Sequence, residues 1–566
     1  MTNIYRSHYP DLDIKSQDLI SYIFSNPYNT PHDRPIYIDA QTGKQYTYGE
    51  VIQRTRSLAY GLQQSFGLRK DDVIALFSPN SIEYPIACYA IVGSGGLVAP
   101  TSAALTALEL NAQLKTSGAR FVIAHSTLLE TARKAVKGTA VEKIILLDGP
   151  YPVDGQATCE HLASTFPEGT LTTVSPADAA KRPVFICFSS GTSGPAKGVV
   201  STHQNIVANL HQWRAIMFET GSPSQRPQRH TAVAFLPFSH IFGLSLYMCQ
   251  CMAWGTSVAV LAKFDLDMYL GCIEKYQPDE LALVPPIALM LVKDKRVANY
   301  NLRSVKRVMS AAAPLTSELA AALEAKFQTL FQTEVFITQS WGLTETSPLA
   351  TGIPNDRMDK RGSGVGVIAH NMEFRFVDPE TMKDVVPNAD GSTPSGEIWC
   401  RGPNVTSGYY NNEEATKSAY HTEPDGSKWF RTGDIGAIDK EGYIAIHDRI
   451  KEMIKYKGLQ VIPSELEGKL IEHPDIEDAG VVGMWADEKA TELPVAFVVL
   501  RQQAKSNDVK AVTERINSWL NPKIANHKRL RGGIFVVDQI PKSPSGKILR
   551  RQLKDLLKSK APKAQL

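Results

Sequence analysis

A stretch rich in small and hydroxylated residues directly follows an apolar run in this sequence. The run Phe185–Phe188 leads into Ser189-Ser-Gly-Thr-Ser-Gly-Pro-Ala-Lys197. Small residues let backbone N–H groups and hydroxyls converge on phosphate oxygens, and Lys197 supplies positive charge. A flexible Gly/Ser linker is the alternative, but linkers join domains, whereas this stretch adjoins a strand of buried character. The pattern therefore predicts a phosphate-binding loop.

The spacing of this loop does not fit the phosphate loop of P-loop NTPases. That motif needs Lys followed by Ser or Thr, whereas Lys197 follows Ala196 and precedes Gly198. A second glycine cluster, at residues 362–366, lacks a preceding apolar strand and a following helix. It is expected to be a structural turn and not a dinucleotide site.

The segments around the loop indicate an α/β fold. Short β-rich runs alternate with helical patterns such as residues 48–62, which is typical of parallel sheets. The β-rich runs are Asp72–Phe77, Phe121–Ala124, Lys143–Leu147 and Val258–Leu261. Between residues 373 and 446, strands follow one another through Gly, Asp and Pro turns without helices, which predicts a smaller β-rich subdomain.

The alternation of helix and strand restarts after the segment Asp448–Lys451. The expected elements are a helix, two strands and a second helix, at residues 464–472, 478–482, 495–500 and 508–520. Such a set forms a compact α+β unit of its own. We therefore expect a large N-terminal domain, residues 1–450, and a small C-terminal domain, residues 451–566.

Composition indicates a globular chain in a reducing, intracellular compartment. With 61 Lys+Arg against 58 Asp+Glu, the net charge of +3 is too small to indicate nucleic acid or membrane binding. The seven cysteines show no C-x-x-C spacing and are expected to be reduced, buried thiols. Two apolar stretches, residues 84–110 and 230–262, are broken by Gly, Pro, Ser and Gln, so no membrane span is expected. The first residues lack a secretory pattern.

Four segments resemble the acyl-/aryl-adenylating superfamily, which includes acyl-CoA synthetases, 4-coumarate:CoA ligases, luciferases and the adenylation domains of peptide synthetases. The phosphate loop is similar to the family signature, except that Ala196 stands where Pro is usual. The other segments follow in the family's order, at Gln339–Thr346, Trp429–Asp434 with Asp448–Gly458, and Pro541–Ile548. The resemblance covers about residues 30–555. It implies an acyl-CoA synthetase-like fold with a mobile C-terminal domain.

The resemblance also implies a two-step reaction. A carboxylate is a poor electrophile because its charge repels nucleophiles and oxide is a poor leaving group, so ATP first converts one oxygen into a phosphate ester. Both reactants are anions, and we expect alignment and charge neutralisation by lysines, hydroxyls and Mg²⁺ to dominate catalysis. The thiol of coenzyme A then attacks the acyl-adenylate, and AMP leaves.

The family motifs, carried over residue by residue, predict the nucleotide site. Its members would be Ser189, Ser190, Gly191, Thr192, Ser193, Gly194, Lys197, Ala311, Ala312, Ala313, Gln339, Ser340, Trp341, Gly342, Thr344, Asp434, Arg449 and Lys547. Glu345 would hold Mg²⁺ against phosphate oxygens, and Asp434 would accept both ribose hydroxyls. Taken alone these residues have plainer interpretations: a surface turn for Glu345, an ion pair for Asp434 and Arg449, and core packing for Trp341.

The resemblance assigns catalysis to five residues, Lys547, His240, Thr344, Lys451 and Lys197. Lys547, which composition alone would place in a solvated tail, would bind the substrate carboxylate and the α-phosphate as charge builds up. The small domain would then turn about Lys451 and withdraw Lys547. This turn would present the coenzyme A-binding residues Lys457, Gly458 and Leu459.

The segment Pro237–Leu246 corresponds to the family's acyl pocket. His240 would lie beside the carboxylate, with Phe242 and Leu246 further along the tunnel. Peptide-synthetase domains carry Asp where His240 stands, to pair with an ammonium group, so amino acids are disfavoured. The pocket residues imply an apolar tail, which aryl, medium-chain and polyketide-like acids all satisfy.

Three other functions share these motifs. The adenylate could be delivered to a carrier-protein phosphopantetheine, or be oxidised by oxygen as in luciferases. A non-catalytic nucleotide-binding protein is disfavoured because Lys197, Glu345, Asp434 and Lys547 are all present.

The last three residues, Ala564-Gln-Leu566, resemble a peroxisomal targeting signal, which consists of a small residue, a basic residue and Leu. They differ from it at one position, because Gln565 stands where the basic residue is usual. We therefore expect the cytosol, with peroxisomal import as the alternative.

Overall fold

The computed structural model describes most of the chain. The described residues are 3–149, 157–189, 196–220, 231–360, 364–450, 452–457, 459–486, 491–504, 508–543 and 546–560. They form the predicted α/β fold, with a large N-terminal part and a smaller C-terminal unit.

A six-stranded sheet carries the phosphate-loop segment, in the order β7-β6-β4-β5-β8-β9. Its strands are β4 (Val73–Ser78), β5 (Leu97–Ser102), β6 (Phe121–Ala124), β7 (Lys143–Leu146), β8 (Pro183–Ser189) and β9 (Lys197–Thr202). All neighbours pair in parallel except β8 and β9, which are antiparallel. The helices along this part of the chain are α2 (Tyr48–Phe66), α3 (Glu83–Gly93), α4 (Ala107–Ser117), α5 (Leu129–Ala135), α6 (Cys159–Thr165) and α7 (Pro176–Ala179).

Helix α2 is longer than its apolar periodicity predicts, because capping residues determine where it begins and ends. Thr47 and Glu50 form a reciprocal capping box at its start. Its C-cap, Gly67, has φ 60° and closes the helix in the left-handed region that glycine favours. The helix therefore runs to Phe66, four residues beyond the predicted end.

Two further sheets complete the α/β part. One has the order β10-β11-β2-β3 and contains β2 (Pro35–Asp39), β3 (Gln45–Thr47), β10 (Thr231–Ala234) and β11 (Ser257–Val260). The other is parallel and contains β12 (Glu280–Leu283), β13 (Arg307–Ser310) and β14 (Phe336–Gln339). The helices are α1 (Leu19–Phe24), α8 (His203–Arg214), α9 (Ile241–Gly243), α10 (Cys251–Trp254), α11 (Leu266–Tyr276), α12 (Pro285–Lys293) and α13 (Ser317–Phe331). One large apolar core joins these sheets to the buried helix α3.

The predicted β-rich subdomain follows. Its larger sheet is antiparallel and contains β1 (Tyr5–Arg6), β18 (Glu373–Val377), β19 (Gly396–Arg401), β20 (Tyr420–Thr422), β21 (Lys428–Ile438) and β22 (Ile444–Arg449). A smaller sheet contains β15 (Trp341–Gly342), β16 (Leu349–Gly352) and β17 (Val367–Ile368). The prediction of no helix here was wrong, because α14 (Glu413–Ala419) lies between β19 and β20.

The C-terminal unit has its own sheet, β25-β26-β27, and its own apolar core. Its elements are β23 (Ile454–Tyr456), β24 (Leu459–Val461), α15 (Pro463–Ile471), β25 (Ile476–Ala486), β26 (Thr491–Leu500), α16 (Val509–Leu520), β27 (Ile534–Val536) and α17 (Arg550–Lys560). Strands β25 and β26 are longer than predicted because their pairing continues to Ala486 and Thr491, past the apolar positions.

The cysteines and most of the two apolar stretches are buried as expected, although Leu108 is exposed. All seven cysteines are free and buried. Residues 84–110 and the described part of 230–262 form short helices and strands of the core. Among the described residues, no helix is long and apolar enough to cross a membrane.

Candidate active site

One cleft of about 1710 Å³, between the N-terminal part and the C-terminal unit, brings most predicted site residues together. The predicted residues that line it are Ser189, Lys197, His240, Phe242, Ala311, Ala312, Ala313, Gln339, Ser340, Trp341, Gly342, Thr344, Glu345, Asp434, Arg449 and Lys547. Ser190, Gly191, Thr192, Ser193, Gly194, Lys451 and Gly458 lie outside the described residues. All four motifs therefore contribute residues to one site.

The arms of the phosphate loop are held by strand pairing. Ser189 ends β8 and is the register partner of Lys197, which begins β9. The Lys197 ammonium lies 4.9 Å from the centre of the Tyr409 ring. The Tyr409 hydroxyl in turn donates a hydrogen bond of 2.9 Å to Glu345 Oε1. Tyr409, which the sequence analysis missed, thus connects Lys197, the lysine expected to bind phosphate, with Glu345, the acidic residue expected to hold the metal.

Glu345 lies in a short 3-10 helix, Thr344–Thr346, that buried amides hold in place. Asn404 donates to the Thr346 carbonyl oxygen at 2.7 Å, and Asn209 donates to that of Leu349 at 2.8 Å. Glu345 is only 7% exposed, so it is not the surface turn that its type alone would indicate. Burial raises the pKa of Glu345, and a nearby cation would favour the ionised form.

These residues fit a Mg²⁺ ion that is shared with a triphosphate. Mg²⁺ prefers oxygen ligands and keeps several waters, so one or two protein oxygens suffice when phosphates supply others. Glu345 and Thr344 carry such oxygens and line the same cleft as Ser189 and Lys197. The described residues contain no cluster of three metal-binding side chains that would hold an ion without phosphate.

Asp434 and Arg449 face each other on paired strands. They are register partners on β21 and β22, and Arg449 Nε lies 2.8 Å from Asp434 Oδ1. Trp341 Nε1 donates to Asp434 Oδ2 at 2.9 Å. Asp434 is 2% exposed, and its carboxylate is oriented from both sides. Trp341 is therefore tied to the site by a hydrogen bond and is not only a core residue.

His240 is a neutral donor in the cleft. Its Nδ1 accepts the N–H of Phe242 at 3.3 Å, so the neutral ring carries its proton on Nε2. Burial, assisted by the nearby Lys547 charge, lowers the pKa of His240 to about 4. The side chain can therefore donate a hydrogen bond to a carboxylate at neutral pH without adding a charge.

The wall beyond His240 is apolar and partly different from the prediction. The ring of Phe242 stacks on that of Trp213, with centroids 6.1 Å apart and planes at 23°. Trp213 lines the cleft and was missed because an aromatic residue on a helix is more often core. Leu246 packs half-buried against the core and is not among the residues that line the cleft.

Lys547 enters the cleft from the C-terminal unit. Its pKa is lowered to about 8, first by burial and then by Arg449, while Glu452 and Asp434 act in the opposite direction. Two of the residues predicted to bind coenzyme A after the turn, Lys457 and Leu459, are in the β23–β24 hairpin and do not line this cleft, and Leu459 is 52% exposed. This arrangement offers Lys547 to the cleft and leaves the hairpin outside it.

Comparison with known proteins gives consistent matches along the chain. Residues 24–410 match the AMP-binding enzyme family, and residues 465–547 match the AMP-binding enzyme C-terminal domain. The chain is 35% identical over 565 residues to probable 4-coumarate–CoA ligase 2 of Dictyostelium discoideum, covering 98% of this chain and 97% of that protein. It is 35% identical over 568 residues to 4-coumarate–CoA ligase 1 of Petroselinum crispum, covering 97% and 96%.

Solved structures share the fold. ATP-bound MatB from Rhodopseudomonas palustris superposes with a TM-score of 0.79 at 24% identity, covering 96% of this chain and 99% of that one. An anthranilate–CoA ligase in complex with anthranoyl-AMP gives a TM-score of 0.80 at 22% identity, covering 97% and 99%.

Fold and relatives together define an AMP-forming acid–thiol ligase, which uses ATP and coenzyme A. The chain belongs to the AMP-binding enzyme family, the acyl-/aryl-adenylating superfamily that its four motifs predicted.

Proposed function

We propose that this protein converts an aryl or medium-chain carboxylic acid with an apolar tail into its coenzyme A thioester through an acyl-adenylate. The observation that carries the proposal is the neutral His240 beside Lys547, with Phe242 and Trp213 behind it. Such a wall recognises a carboxylate at one end and an apolar body at the other. The absence of an Asp at position 240 disfavours an ammonium group.

In the first step a carboxylate oxygen attacks the α-phosphorus of ATP and pyrophosphate leaves. Lys547 offsets the charge that builds between carboxylate and α-phosphate, and His240 Nε2–H donates to the second carboxylate oxygen. Lys197 and the loop around it hold the leaving phosphates, while Asp434 holds the ribose. Glu345 and Thr344 would hold Mg²⁺, which neutralises phosphate charge when bound.

In the second step the thiol of coenzyme A attacks the acyl carbon and AMP leaves. The exposed hairpin with Lys457 and Leu459 supports a rotation of residues 451–566 relative to residues 1–450 between the steps. Lys547 would leave the cleft as the hairpin enters. We propose Lys451 as the hinge, a residue outside the described part of the chain.

A panel of acids tests the proposed function. AMP release would be measured with 4-coumaric, cinnamic, benzoic, octanoic and phenylalanine substrates, each with and without coenzyme A. We expect coenzyme A-dependent AMP release with at least one apolar acid and none with phenylalanine. The Lys547→Ala variant should lose adenylation but still form thioester from supplied acyl-AMP. Equal loss of both half-reactions would contradict the assignment of Lys547.

The same panel distinguishes the two catalytic alternatives. A carrier-protein ligase would form acyl-AMP and pyrophosphate but would release no AMP with free coenzyme A. A luciferase-like oxidoreductase would consume oxygen with the supplied acid. Neither result is expected.

We infer the cytosol as the compartment, from the free, buried cysteines. Peroxisomal import is the second proposal. A relative 35% identical over 545 residues is named peroxisomal OPC-8:0-CoA ligase 1, from Arabidopsis thaliana. Microscopy of a fluorescent fusion against a peroxisomal marker would separate the two.

A further inference from the structure

A buried cluster of charges lies directly behind Lys547. Arg550 is the first residue of α17 and follows Lys547 by three positions. Its Nη1 lies 2.6 Å from Glu452 Oε2, and its Nη2 lies 2.9 and 2.8 Å from the two oxygens of Glu467. Its Nε donates to the Val481 carbonyl oxygen at 3.3 Å. One guanidinium thus joins α17 to three other segments of the C-terminal unit.

The two carboxylates tie Arg550 to segments that matter for catalysis. Glu452 is adjacent to the proposed hinge at position 451, and Glu467 lies on α15, whose residues line the cleft. Glu467 also accepts the N–H of Val481 at 2.8 Å, which fixes the carboxylate on β25. The side chains of Arg550, Glu452 and Glu467 are 13%, 9% and 9% exposed. Water therefore screens these contacts weakly.

The stability of α17 does not explain Arg550. A positive side chain in the first turn of a helix opposes the helix dipole, and α17 has no acidic residue there. Burying a charge cluster is also costly. Asp448, 8% exposed, adds a third carboxylate near Arg550, which increases the amount of charge that is buried. These costs have an explanation if the cluster fixes the position of the turn that carries Lys547.

We propose that Arg550 is a positioning residue for adenylation: by clamping Glu452 beside the hinge and Glu467 on α15, it fixes the turn that carries Lys547. The inference rests on the proposed role of Lys547. The described hydrogen bonds of the Arg550 guanidinium all go to groups of the C-terminal unit. Its loss should impair the half-reaction that needs Lys547 and spare the one that does not.

Two measurements test this role, and the second of them requires no carboxylic acid substrate. The rates of both half-reactions would be compared in Arg550→Met, Arg550→Lys and the unmodified protein, with 4-coumaric or octanoic acid, whichever the unmodified protein activates. Adenylation should fall by about 10-fold or more in Arg550→Met, and thioester formation from supplied acyl-AMP by no more than about 3-fold. Arg550→Lys keeps the charge but not the bidentate geometry, so its adenylation should be intermediate.

The second readout is the apparent pKa of Lys547, measured by labelling with acetic anhydride at varied pH and peptide mass spectrometry. The charged groups facing Lys547 are Arg449, Glu452, Asp434 and Arg550, with neutral His240 beside it. Removing the positive charge in Arg550→Met should raise the pKa of Lys547 above its value of about 8. Glu452→Gln removes a negative charge and should lower it.

Arg515→Met is the matched control. Arg515 is in the same unit and pairs with Asp475 at 2.9 Å, but it is 53% exposed. It should change neither readout. Failure of the unmodified protein to activate any acid would count against the proposed function alone. The positioning role is overturned if Arg550→Met slows both half-reactions equally or leaves the pKa of Lys547 unchanged. If Arg550→Met does not fold, Glu452→Gln must show a selective loss of adenylation.

Discussion

Burial tunes the titratable residues of the cleft toward binding two anions. His240 loses its charge and becomes a donor, because burial lowers its pKa to about 4. Lys547 remains mostly cationic at neutral pH with a pKa of about 8. The buried Lys547 ammonium is weakly hydrated and the His240 imidazole is neutral, so each can approach a carboxylate closely. Of these two donors only Lys547 carries a positive charge, and it is the side chain that would leave the cleft in the proposed second step.

Adenylation should decline in alkaline solution. As pH rises through about 8, Lys547 in the free enzyme loses its proton and can no longer offset the charge between carboxylate and α-phosphate. We expect kcat/KM for ATP to fall about tenfold per pH unit above this value, since kcat/KM reports ionisations of the free enzyme. Lys547→Arg, which stays charged, should show no such decline between pH 7 and about 9 in its residual activity. An unchanged decline in Lys547→Arg would assign the ionisation to another group.

Tyr409 should govern the metal requirement through its hydroxyl alone. Tyr409→Phe removes the hydrogen bond to Glu345 and keeps the ring under Lys197. Hydrogen bonds to charged groups contribute about 1.5–3 kcal/mol, so the Mg²⁺ concentration for half-maximal adenylation should rise by about 10-fold or more. Tyr409→Leu, which removes the ring as well, should in addition raise KM for ATP. An unchanged Mg²⁺ dependence in Tyr409→Phe would show that the contact does not act on the metal.

The residues that sequence reasoning missed lack a local signal. Tyr409 meets Glu345 from 64 positions away, and tertiary contacts such as the bridge between Val199 and Tyr409 bring the two segments together. Leu246 lies four positions after Phe242, which would place both on one face of an α-helix. Residues Leu244–Gln250 instead form a π-helix, whose wider turn changes which side chains share a face.

At the scale of elements, the turn before α17 depends on a close approach. Gly546 has φ 79°, and a Cβ there would lie 2.8 Å from Pro286 Cγ on α12. Because α12 belongs to the N-terminal part, this contact crosses the cleft. The turn can therefore deliver Lys547 only if position 546 has no side chain.

Gly546→Ala should impair adenylation selectively. The added methyl group clashes with Pro286, so we expect a loss of about 10-fold or more in adenylation and little change in thioester formation from acyl-AMP. Gly533→Ala is the control: its φ of 97° gives a comparable backbone strain, but the nearest atom to a Cβ is 3.9 Å away. A similar loss in both variants would point to strain in the C-terminal unit instead of a clash across the cleft.

Elements with strong periodicity were predictable, and elements without it were not. The β-rich runs at 72–77 and 121–124 became β4 and β6 because continuous apolar runs mark buried parallel strands. Helix α14 has no buried residue, so it carries no apolar period, and only its cap Asn412 and the acidic pair Glu413-Glu414 mark its start.

At the scale of the whole molecule, described residues of α15 join the two parts through small contacts. Ser464 of α15 donates from its backbone N–H to Asp448 Oδ2 at 3.3 Å and from its hydroxyl to the His447 carbonyl oxygen at 3.1 Å. A Cβ at Gly468 on the same helix would lie 3.6 Å from Thr316 Cγ2 of the N-terminal part. Small, partly polar contacts of this kind are compatible with rotation between the steps.

A cross-link between α15 and Thr316 should therefore separate the two half-reactions. In the double variant Gly468→Cys with Thr316→Cys, a sulfur in the place of Thr316 Cγ2 would lie 3.6 Å from the Cβ of residue 468, so a small shift of α15 would allow a disulfide. The seven native cysteines are buried, which limits competing bonds. Loss of the Thr316 cap on α13 should cost about 1 kcal/mol and leave the fold intact. Oxidation should preserve adenylation and abolish thioester formation, and a reductant should restore it. Each single-cysteine variant should be insensitive to oxidation, and an oxidised double variant that completes both steps would exclude the rotation.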